Sequence, residues 1–330
     1  MVGACEPISE RRLQVGKRFG IPALYTDPAL LLEKEKPDVV IIATPPTTHR
    51  ELCLLALEHH AHILCEKPFV ENEAEADEVI AVAERRQRSI RVNNQYRFMP
   101  MYRQPQERIA NGEFGRPFLI QCWQQMFHPP STEQNWRAHL LPYTLYEFGT
   151  HPLDLICYFF GSLPESVTAH TLQPHGDRDA DVVVQVTLRF SDQRLATLLC
   201  NRVSHALERY FEMRIDCEKA SLRLSFGGVA RATVDWSRKL GRPIARFSLG
   251  KGGEARVEVG GRSRVIVREY QEGRARATAL NLQALLDAIS SGTVADTQVQ
   301  HARDLIRIVR ACYESARTGE TVWLQKSPSL

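Results

Sequence analysis

Residues 38–69 read DVVIIATPPTTHRELCLLALEHHAHILCEKPF and determine the class of fold. The runs VVIIA (39–43) and HILC (62–65) are short and largely apolar, and the residues between them follow a helical pattern. Continuous apolar runs are typical of parallel strands that are covered on both faces, whereas half-exposed strands alternate. The stretch therefore predicts a strand–helix–strand unit with two parallel strands.

The same alternation of short apolar runs and helical patterns extends over the first 93 residues. MVGAC and IRVN read as further strands, and ISERRLQVGKRFG and NEAEADEVIAVAERRQ read as helices. Asn72 and Glu75, three residues apart, form a helix-capping pair at the start of the helix NEAEADEVIAVAERRQ. We therefore expect a parallel α/β domain.

In the second half of the chain, apolar and polar residues alternate with a period of two. PFLIQCWQQMF, ADVVVQVTLRF, RLATLLCN, RYFEMRIDC and ASLRLSF are β-rich and are separated by turns, and helical patterns at 278–290 and 298–317 close the chain. We predict two domains, 1–116 with the parallel sheet and 117–330 as an α+β domain with a large, mostly antiparallel open sheet.

Composition narrows the functional classes. The 330 residues carry 42 basic and 39 acidic side chains, a net charge of +3, which favours neither disorder nor nucleic-acid binding. No apolar run is long enough for a membrane span, and the eight scattered cysteines indicate a reducing compartment, so we expect a cytoplasmic protein. The histidines at 59, 60 and 62 lack ligand geometry, and we expect no metal.

Ligands of open parallel sheets bind at the carboxyl ends of strands, and two such ends carry informative residues. Glu6 follows the first strand, where a carboxylate can accept ribose hydroxyls; a helix-start or turn acid is an equal alternative. Thr44-Pro45-Pro46 follows VVIIA, with His49 three residues on, and makes a stiff loop against which a cofactor ring can pack. A plain surface loop is the alternative.

A third strand end, Glu66-Lys67-Pro68, is more specific. A lysine between an acid and a proline directs an ammonium group into the crevice at the end of a buried strand, and a cis Lys67–Pro68 bond would aim it sharply. We favour a functional role here over a chance tripeptide.

The segment LPYTLYEFGTHPLDLICYFFG holds the candidate chemistry of the second half. If it is an α-helix, Glu147 shares a face with His151, and His151 shares one with Asp154. A carboxylate beside an imidazole suits a proton-transferring histidine. The alternative is a helix-start histidine satisfied locally, since Pro152 fits a first helical turn.

Taken together, GACEP, ATPPTTH, HILCEKPF, NNQYRFMP and EFGTHPLD resemble, in order, the motifs of the Gfo/Idh/MocA oxidoreductases. The resemblance runs over nearly the whole chain. It implies a Rossmann-type sheet, an oligomerising β-sheet domain, and NAD(P)-dependent hydride transfer to or from a sugar, sugar derivative or cyclitol.

The resemblance also implies roles for individual residues. Lys67 matches the catalytic lysine, His151 the catalytic histidine, and Glu147 the acid four residues earlier, which is usually aspartate. His151 would take the substrate's hydroxyl proton while Lys67 stabilises the developing alkoxide. The residues expected at the cofactor are Glu6, Arg11, Thr44, Pro45, His49, Glu66 and Lys67, and the weaker candidates at the substrate are Asn94, Arg97, Trp136, Arg137, Tyr143 and Asp154.

Two of these expectations carry alternatives. Arg97, in the R-F-x-P motif, equally suits a structural ion pair. NAD is slightly favoured over NADP, since Glu6 would repel a 2′-phosphate, but Arg11 and Arg12 lie close enough in sequence to compensate.

One family feature is missing from this sequence. The glycine-rich strand, turn and helix that bind phosphate should precede GACEP, where only Met1 and Val2 precede Gly3. We therefore expect an N-terminally truncated Rossmann-type parallel sheet. In it the Met1 strand and the Val39 strand either face each other across a vacant slot, with unpaired backbone groups, or the sheet is rearranged.

Three functional hypotheses remain. The first is an active oxidoreductase whose glycine-rich segment lies upstream. The second is a non-catalytic relative that binds a sugar-like ligand or a partner. The third is an enzyme of the same architecture that retains its cofactor in an unusual way or uses it for a reaction with no net redox change, such as an elimination. In each case we expect a homodimer or homotetramer formed through the β-sheet domain, since its edges would otherwise meet solvent.

Overall fold

The computed structural model describes residues 1–129, 136–137, 144–174, 181–205, 211–227, 229–237, 241–250, 252–269, 273–292 and 297–324, with backbone alone at 229–237 and 243–250. These residues form two compact units. The first comprises Met1–Asn93 and Asn281–Ile306, and the second comprises Asn94–Leu280 and Arg307–Leu330. The expected boundary at 116 differs from this division, since residues 94–116 group with the second unit and a C-terminal stretch returns to the first.

The first unit alternates strands and helices. Its elements before residue 93 are β1 (Gly3–Cys5), α1 (Ser9–Phe19), β2 (Ala23–Tyr25), α2 (Pro28–Glu35), β3 (Val39–Ile42), α3 (His49–Glu58), β4 (His62–Cys65), α4 (Glu73–Arg86) and β5 (Ile90–Val92). Two of these elements, β2 and α2, were not predicted from the sequence. Asp27 caps α2 by accepting from the Ala29 N–H at 2.8 Å, and Pro28 occupies its first turn, so a usable start signal was present.

Every strand pair of this unit is parallel. β1 pairs with β2 in one sheet, and β3, β4 and β5 form another in that order. Of the two alternatives for β1 and β3, the structure shows the one without rearranged pairing, since the two strands lie in separate sheets. The expectation that β3 is covered on both faces is wrong at one position, because Ile41 is 53% exposed.

The core of the first unit lies around β3, β4 and β5. It is built from buried residues between Ile42 and Val92, joined by Val299, Ala302 and Ile306, and Val40 packs against its edge. The Asn72 cap is confirmed: its Oδ1 accepts from the Glu75 N–H at 3.0 Å, and the Glu75 carboxylate accepts in return from the Asn72 amide and the Glu71 N–H. The cap places the loop between β4 and α4.

The second unit is organised by one long sheet. Its elements, together with the two closing helices that both units share, are α5 (Pro100–Ala110), β6 (Pro117–Gln125), α6 (Thr150–Phe160), β7 (Ser166–Leu172), β8 (Val183–Arg189), β9 (Leu195–Asn201), β10 (Phe211–Cys217), β11 (Ser221–Phe226), β12 (Val229–Ser237), β13 (Arg242–Gly250), β14 (Gly253–Val259), β15 (Arg262–Glu269), α7 (Gly273–Ser290), α8 (Thr297–Thr318) and β16 (Val322–Trp323).

The nine-stranded sheet has the order β15-β14-β11-β10-β6-β9-β8-β7-β16, and β12 and β13 form a separate hairpin. Its neighbours are antiparallel except for β6 and β9. The α/β class, with a parallel sheet followed by a large, mostly antiparallel one, is therefore confirmed. Burial alternates along the inner strands, as in β10, so one face of the sheet carries the core.

Among the helices that the structure describes, none combines the length and apolarity that crossing a bilayer requires. The described residues also contain no group of three or more His, Cys, Asp or Glu side chains placed to hold a metal ion.

Candidate functional site

In the first unit, the end of β4 carries Glu66, Lys67 and Pro68. The Lys67–Pro68 peptide bond is cis, and Glu66 and Lys67 are both half-buried. Glu66 Oε1 accepts a hydrogen bond of 2.7 Å from the Asn93 amide, at the end of the neighbouring strand β5. The turn that carries Lys67 is therefore tied to the adjacent strand, and its position after a parallel strand is where ligands of such sheets bind.

His49 links this turn to the loop after β3. It is fully buried; its Nδ1 lies 2.9 and 3.0 Å from the carbonyl oxygens of Pro68 and Phe69, and its Nε2 lies 2.9 Å from that of Thr44. Carbonyl oxygens only accept, so the ring nitrogen that carries the proton donates, and the imidazole lies between the two loops within hydrogen-bonding distance of both. Sequence reasoning placed His49 at the cofactor, and the structure shows a bridge between the two loops.

Thr44 and Pro45 lie at the end of β3. Thr44 is exposed, Pro45 is half-buried, and the Thr44 hydroxyl accepts from the Thr48 hydroxyl at 2.7 Å. A short 3₁₀ helix, Pro46–Thr48, then leads into α3. The loop is thus rigid, with an exposed polar end beside the strand.

Glu6 lies immediately after β1 and is half-buried. Its Oε1 accepts from the Ile8 N–H at 2.9 Å, and its carbonyl oxygen accepts from the Arg12 guanidinium at 2.6 Å. The helix-start alternative is therefore present in the structure, with one carboxylate oxygen engaged in it. Arg12 is committed to the backbone, whereas Arg11 is exposed.

In the second unit, His151 lies buried in the first turn of α6, with Pro152 beside it. Its ring stacks on the ring of Tyr96, with centroids 4.1 Å apart and the planes parallel. Sequence reasoning missed Tyr96, because nothing in the local pattern signals a contact across 55 positions of the chain.

Glu147 precedes α6 in a π-helix, Thr144–Gly149, and not in the α-helix on which the shared face with His151 was predicted. That spacing argument is therefore corrected, since a π-helix has a different repeat. The Glu147 carboxylate is buried, and its Oε1 accepts from the exposed Arg137 at 3.2 Å. π-Helical turns occur frequently at functional sites.

The start of the π-helix is held by Asp181, which is buried. Its carboxylate accepts from the Thr144 N–H at 3.3 Å and from the Tyr313 hydroxyl at 3.1 Å, while the Tyr313 oxygen accepts from the Leu145 N–H at 2.9 Å. Burial and the neighbouring Asp181 carboxylate raise the pKa of Tyr313 well above its ordinary value. Sequence reasoning missed this anchor as well.

Arg97 and Asp154 form an ion pair. The Arg97 Nε donates to Asp154 Oδ2 at 2.8 Å, with the Asp154 side chain fully buried, and the guanidinium lies 4.9 Å from the Tyr158 ring centroid. Burial lowers the pKa of Arg97, but the Asp154 carboxylate outweighs it, and the pKa is raised. Arg97 therefore forms the structural ion pair that was its alternative role. Its partner is Asp154, which the sequence analysis paired with His151.

The remaining substrate candidates divide into three cases. Tyr143 lies outside the described residues. Trp136 is half-buried and lies under the Arg137 guanidinium, 4.3 Å from it. Asn94 is buried, and its Nδ2 has no hydrogen-bond partner among the described residues.

This architecture, a parallel α/β unit of Rossmann type and a unit built on a mostly antiparallel sheet, defines a class of two-domain proteins that bind dinucleotides. Residues 1–94 match the family described as "Oxidoreductase family, NAD-binding Rossmann fold", and residues 102–223 match the GFO/IDH/MocA C-terminal domain. The chain belongs to the GFO/IDH/MocA family.

Relatives with assigned activities are similar to this chain at moderate identity. A D-apiose dehydrogenase of Paraburkholderia graminis is 27% identical over 68% of this chain and 60% of its own length. A myo-inositol 2-dehydrogenase of Thermotoga maritima is 25% identical over 74% of this chain and 73% of its own. The chain thus spans less than two thirds of the first of these enzymes.

The fold is shared with solved structures. An oxidoreductase from Agrobacterium radiobacter, solved with NAD⁺, L-tartaric acid and magnesium, has a TM-score of 0.80 and 20% identity, over 98% of this chain and 90% of that one. At this identity the likeness concerns the fold.

The residues of the first unit fit two ends of the NAD cofactor that the family implies. The Glu6 carboxylate, at the end of a parallel strand, suits a ribose, and the rigid loop at Thr44 and Pro45 suits a flat ring. The fit stops at the pyrophosphate: α1 to α4 are preceded by Ile8, Asp27, Thr48 and Asn72, so none of these described helices begins after a glycine-rich turn.

Proposed function

We propose that this chain is an NAD(P)-dependent oxidoreductase that transfers hydride between nicotinamide and a hydroxyl-bearing carbon of a sugar, sugar derivative or cyclitol. The observation that carries this proposal is the setting of His151, a buried imidazole in the first turn of α6 whose ring stacks parallel to that of Tyr96. Family membership and the dehydrogenases among its relatives support this class of reaction.

We assign the proton chemistry to two residues. His151 accepts the proton of the reacting hydroxyl, and the Lys67 ammonium stabilises the negative charge that develops on that oxygen. Bound nicotinamide supplies the hydride acceptor. Glu147, held by Arg137, positions the segment that leads into His151, and Asn94 offers its Nδ2–H as a donor to a substrate oxygen.

The first test is reduction of NAD⁺ and NADP⁺ in the presence of a panel of sugars, sugar acids and cyclitols. With a substrate identified, His151→Asn and Lys67→Ala should each lower kcat by about 10²–10⁴-fold, the range for positioned proton transfer. His170→Asn and Lys34→Ala, which change exposed residues in β7 and α2, serve as matched controls. Wild-type turnover in either site variant would remove that residue from its role.

NAD is our proposed cofactor over NADP. A carboxylate at Glu6, at the end of the first parallel strand, would repel a 2′-phosphate bound there, and Arg12 is engaged with the backbone, so Arg11 is the exposed guanidinium left for such a phosphate. Glu6→Ser should raise the ratio of kcat/KM for NADPH to that for NADH, and Arg11→Ala should lower it. An unchanged ratio in both variants would contradict this choice.

A second candidate function is a non-catalytic protein that binds a sugar-like ligand. It is favoured by one observation: none of the described helices α1 to α4 begins after a glycine-rich turn that could bind a pyrophosphate. Calorimetry with NADH and NADPH separates the two candidates. Binding of either cofactor supports the oxidoreductase; a folded chain that binds sugars and neither cofactor supports the alternative.

Assembly and location complete the proposal. We propose a homodimer or homotetramer formed through the nine-stranded sheet, whose outer strands β15 and β16 each have one edge unpaired among the described residues. Light scattering that returned a monomer would contradict it. We also propose a cytoplasmic location, since all eight cysteines are free thiols.

A further inference from the structure

His151 lies at one end of a column of parallel aromatic rings. Tyr96 stacks on His151 with a centroid distance of 4.1 Å and an interplanar angle of 0°, and Tyr102 stacks beyond Tyr96 at 5.9 Å and 5°. All three side chains are buried, with Tyr96 2% and Tyr102 0% exposed. One face of the imidazole is therefore covered by a ring that is itself enclosed.

Tyr96 is held from several sides. The ring of Phe226, from β11, meets it edge-on at 5.7 Å, and Phe211, from β10, lies tilted at 6.4 Å. Its carbonyl oxygen accepts from the Met99 N–H at 3.0 Å, in the 3₁₀ helix Gln95–Phe98 that leads into α5. The ring plane of Tyr96 is thus fixed by two strands and a helix start.

We propose that Tyr96 is a positioning residue that fixes the ring plane of His151, a role that deepens the proposed function and rests on it. The two nitrogens of an imidazole exchange protons along directions that lie in the ring plane. A parallel ring at 4.1 Å opposes rotation of the imidazole about its Cβ–Cγ bond, because rotation would bring the ring edge into the tyrosine face. The stack therefore limits the directions along which the two nitrogens can exchange protons.

We assign this role to the flat ring of Tyr96. Tyr96→Phe should therefore retain kcat, whereas Tyr96→Met removes the flat face while keeping the site filled. We expect Tyr96→Met to lower kcat by between about tenfold and a hundredfold with the KM for NAD unchanged, since a misplacement on the order of 1 Å costs about 10²-fold in rate. Rescue by phenylalanine distinguishes positioning from a polar role.

Tyr102→Met is the matched control. It makes the same change in the same aromatic column, one ring further from His151, and tests whether general loosening of the core accounts for the effect. Thermal unfolding of all three variants establishes that each folds. If Tyr102→Met lowers kcat as much as Tyr96→Met, or if Tyr96→Met keeps wild-type kcat, the positioning role is overturned.

A spectroscopic test needs no substrate. With ¹³C-labelled histidine, and His151→Asn to assign its resonance, the ring proton of His151 should be shifted upfield by the Tyr96 ring current in the full chain. Tyr96→Phe should keep that shift and Tyr96→Met should abolish it. A shift that survives in Tyr96→Met overturns the proposal, even if no substrate is turned over.

The kinetic and spectroscopic readouts separate the two proposals. If His151→Asn keeps full turnover, the proposed function fails for His151, while the ring-current result still decides whether the Tyr96 ring lies on the His151 ring. If His151→Asn abolishes turnover and Tyr96→Met leaves both turnover and the ring-current shift intact, the proposed function stands and the role of Tyr96 falls.

Discussion

The two units of this chain bury their apolar surface in different ways. In the first, β1 and β2 are three residues long and pair with each other, apart from the sheet of β3, β4 and β5. In the second, strands of six to nine residues form the centre of a continuous nine-stranded sheet. Longer strands in one sheet cover more apolar surface for each residue that they order.

Exposure follows the same division. Of the 14 large apolar side chains that are exposed among the described residues, eight precede residue 42. They are Met1, Val2, Ile8, Leu13, Val15, Phe19, Leu30 and Ile41. The core cluster of the first unit includes no residue before Val40. The first 39 residues are therefore held mainly by their own contacts, and we expect local stability to rise from there to the long sheet.

The largest expected loss tests the second unit. Asp154→Asn leaves the Arg97 guanidinium largely buried without its carboxylate, and should lower the free energy of unfolding by about 3–5 kcal/mol. All four tryptophans, at 123, 136, 236 and 323, lie in this unit, so their fluorescence during urea denaturation reports on it.

Asp216→Asn is the control for this prediction. Asp216 pairs with Arg214 at 3.1 Å, but the Arg214 side chain is 40% exposed, and pairs of that kind contribute about 0–1 kcal/mol. Equal losses in Asp154→Asn and Asp216→Asn would show that burial of the Arg97 pair does not stabilise the unit.

A second prediction compares the two parts of the first unit, the first 39 residues and the core around β3, β4 and β5. Ile63→Ala empties a fully buried position in β4 and should cost about 2–5 kcal/mol. Leu24→Ala, in β2, removes a half-buried side chain that packs on Gly16, and should cost less. The rates at which the buried thiols of Cys53 and Cys65 react with a maleimide give the free energy of opening. An equal loss from Leu24→Ala would place β2 in the same cooperative unit as β4.

Sequence reasoning located the elements whose signal is local. The strands β3 and β4 and the helix between them follow from apolar runs longer than three residues, and α4 follows from its cap. β2 was missed because ALY is too short to show a period, although Asp27-Pro28 marks the start of α2. The exposure of Ile41 depends on what packs against its face of the sheet, and no local pattern reports that.

The candidate site divides in the same way. Lys67 and His151 were predicted from motif order and from their places after a strand and at a helix start, and their roles stay predictions. Glu147 was predicted with them, but its geometry was not, because a spacing of four implies an α-helix and the chain forms a π-helix there. Tyr96 and Asp181 are recognised only in the folded chain, since each acts across distant positions.

A third prediction concerns the cap that places the loop after Lys67. Asn72→Ala removes the side-chain acceptor from the Glu75 N–H and should cost about 1 kcal/mol. Asn72→Ser keeps an acceptor and should cost less than half of that. The labelling of Cys53 and Cys65 measures both changes. No difference between alanine and serine would mean that the cap does not stabilise α4.

The smallest expected effect is a difference in the rates at which cysteines of the two units react with a maleimide in the unmodified chain. Cys5, in β1, is half-buried, whereas Cys53 and Cys65 in the first unit and Cys122 and Cys200 in the second are buried. We expect the thiols to react with a maleimide in that order: Cys5 first, then the first-unit pair, then the second-unit pair, because a continuous sheet opens less often. Mass spectrometry of the labelled peptides gives the rates.

The pKa of the Cys5 thiol also affects the rate at which it reacts with a maleimide. Burial, with the Asp27 and Glu6 carboxylates nearby, raises the pKa of the Cys5 thiol. The thiolate is the reactive form, so at pH 8 Cys5 should react more slowly than an exposed thiol, and its rate should continue to climb with pH after that of the exposed thiol has levelled off. Cys5→Ser should abolish the fast phase. If the second-unit pair reacts before Cys53 and Cys65, the continuous sheet is the less stable region and the comparison between the units is reversed.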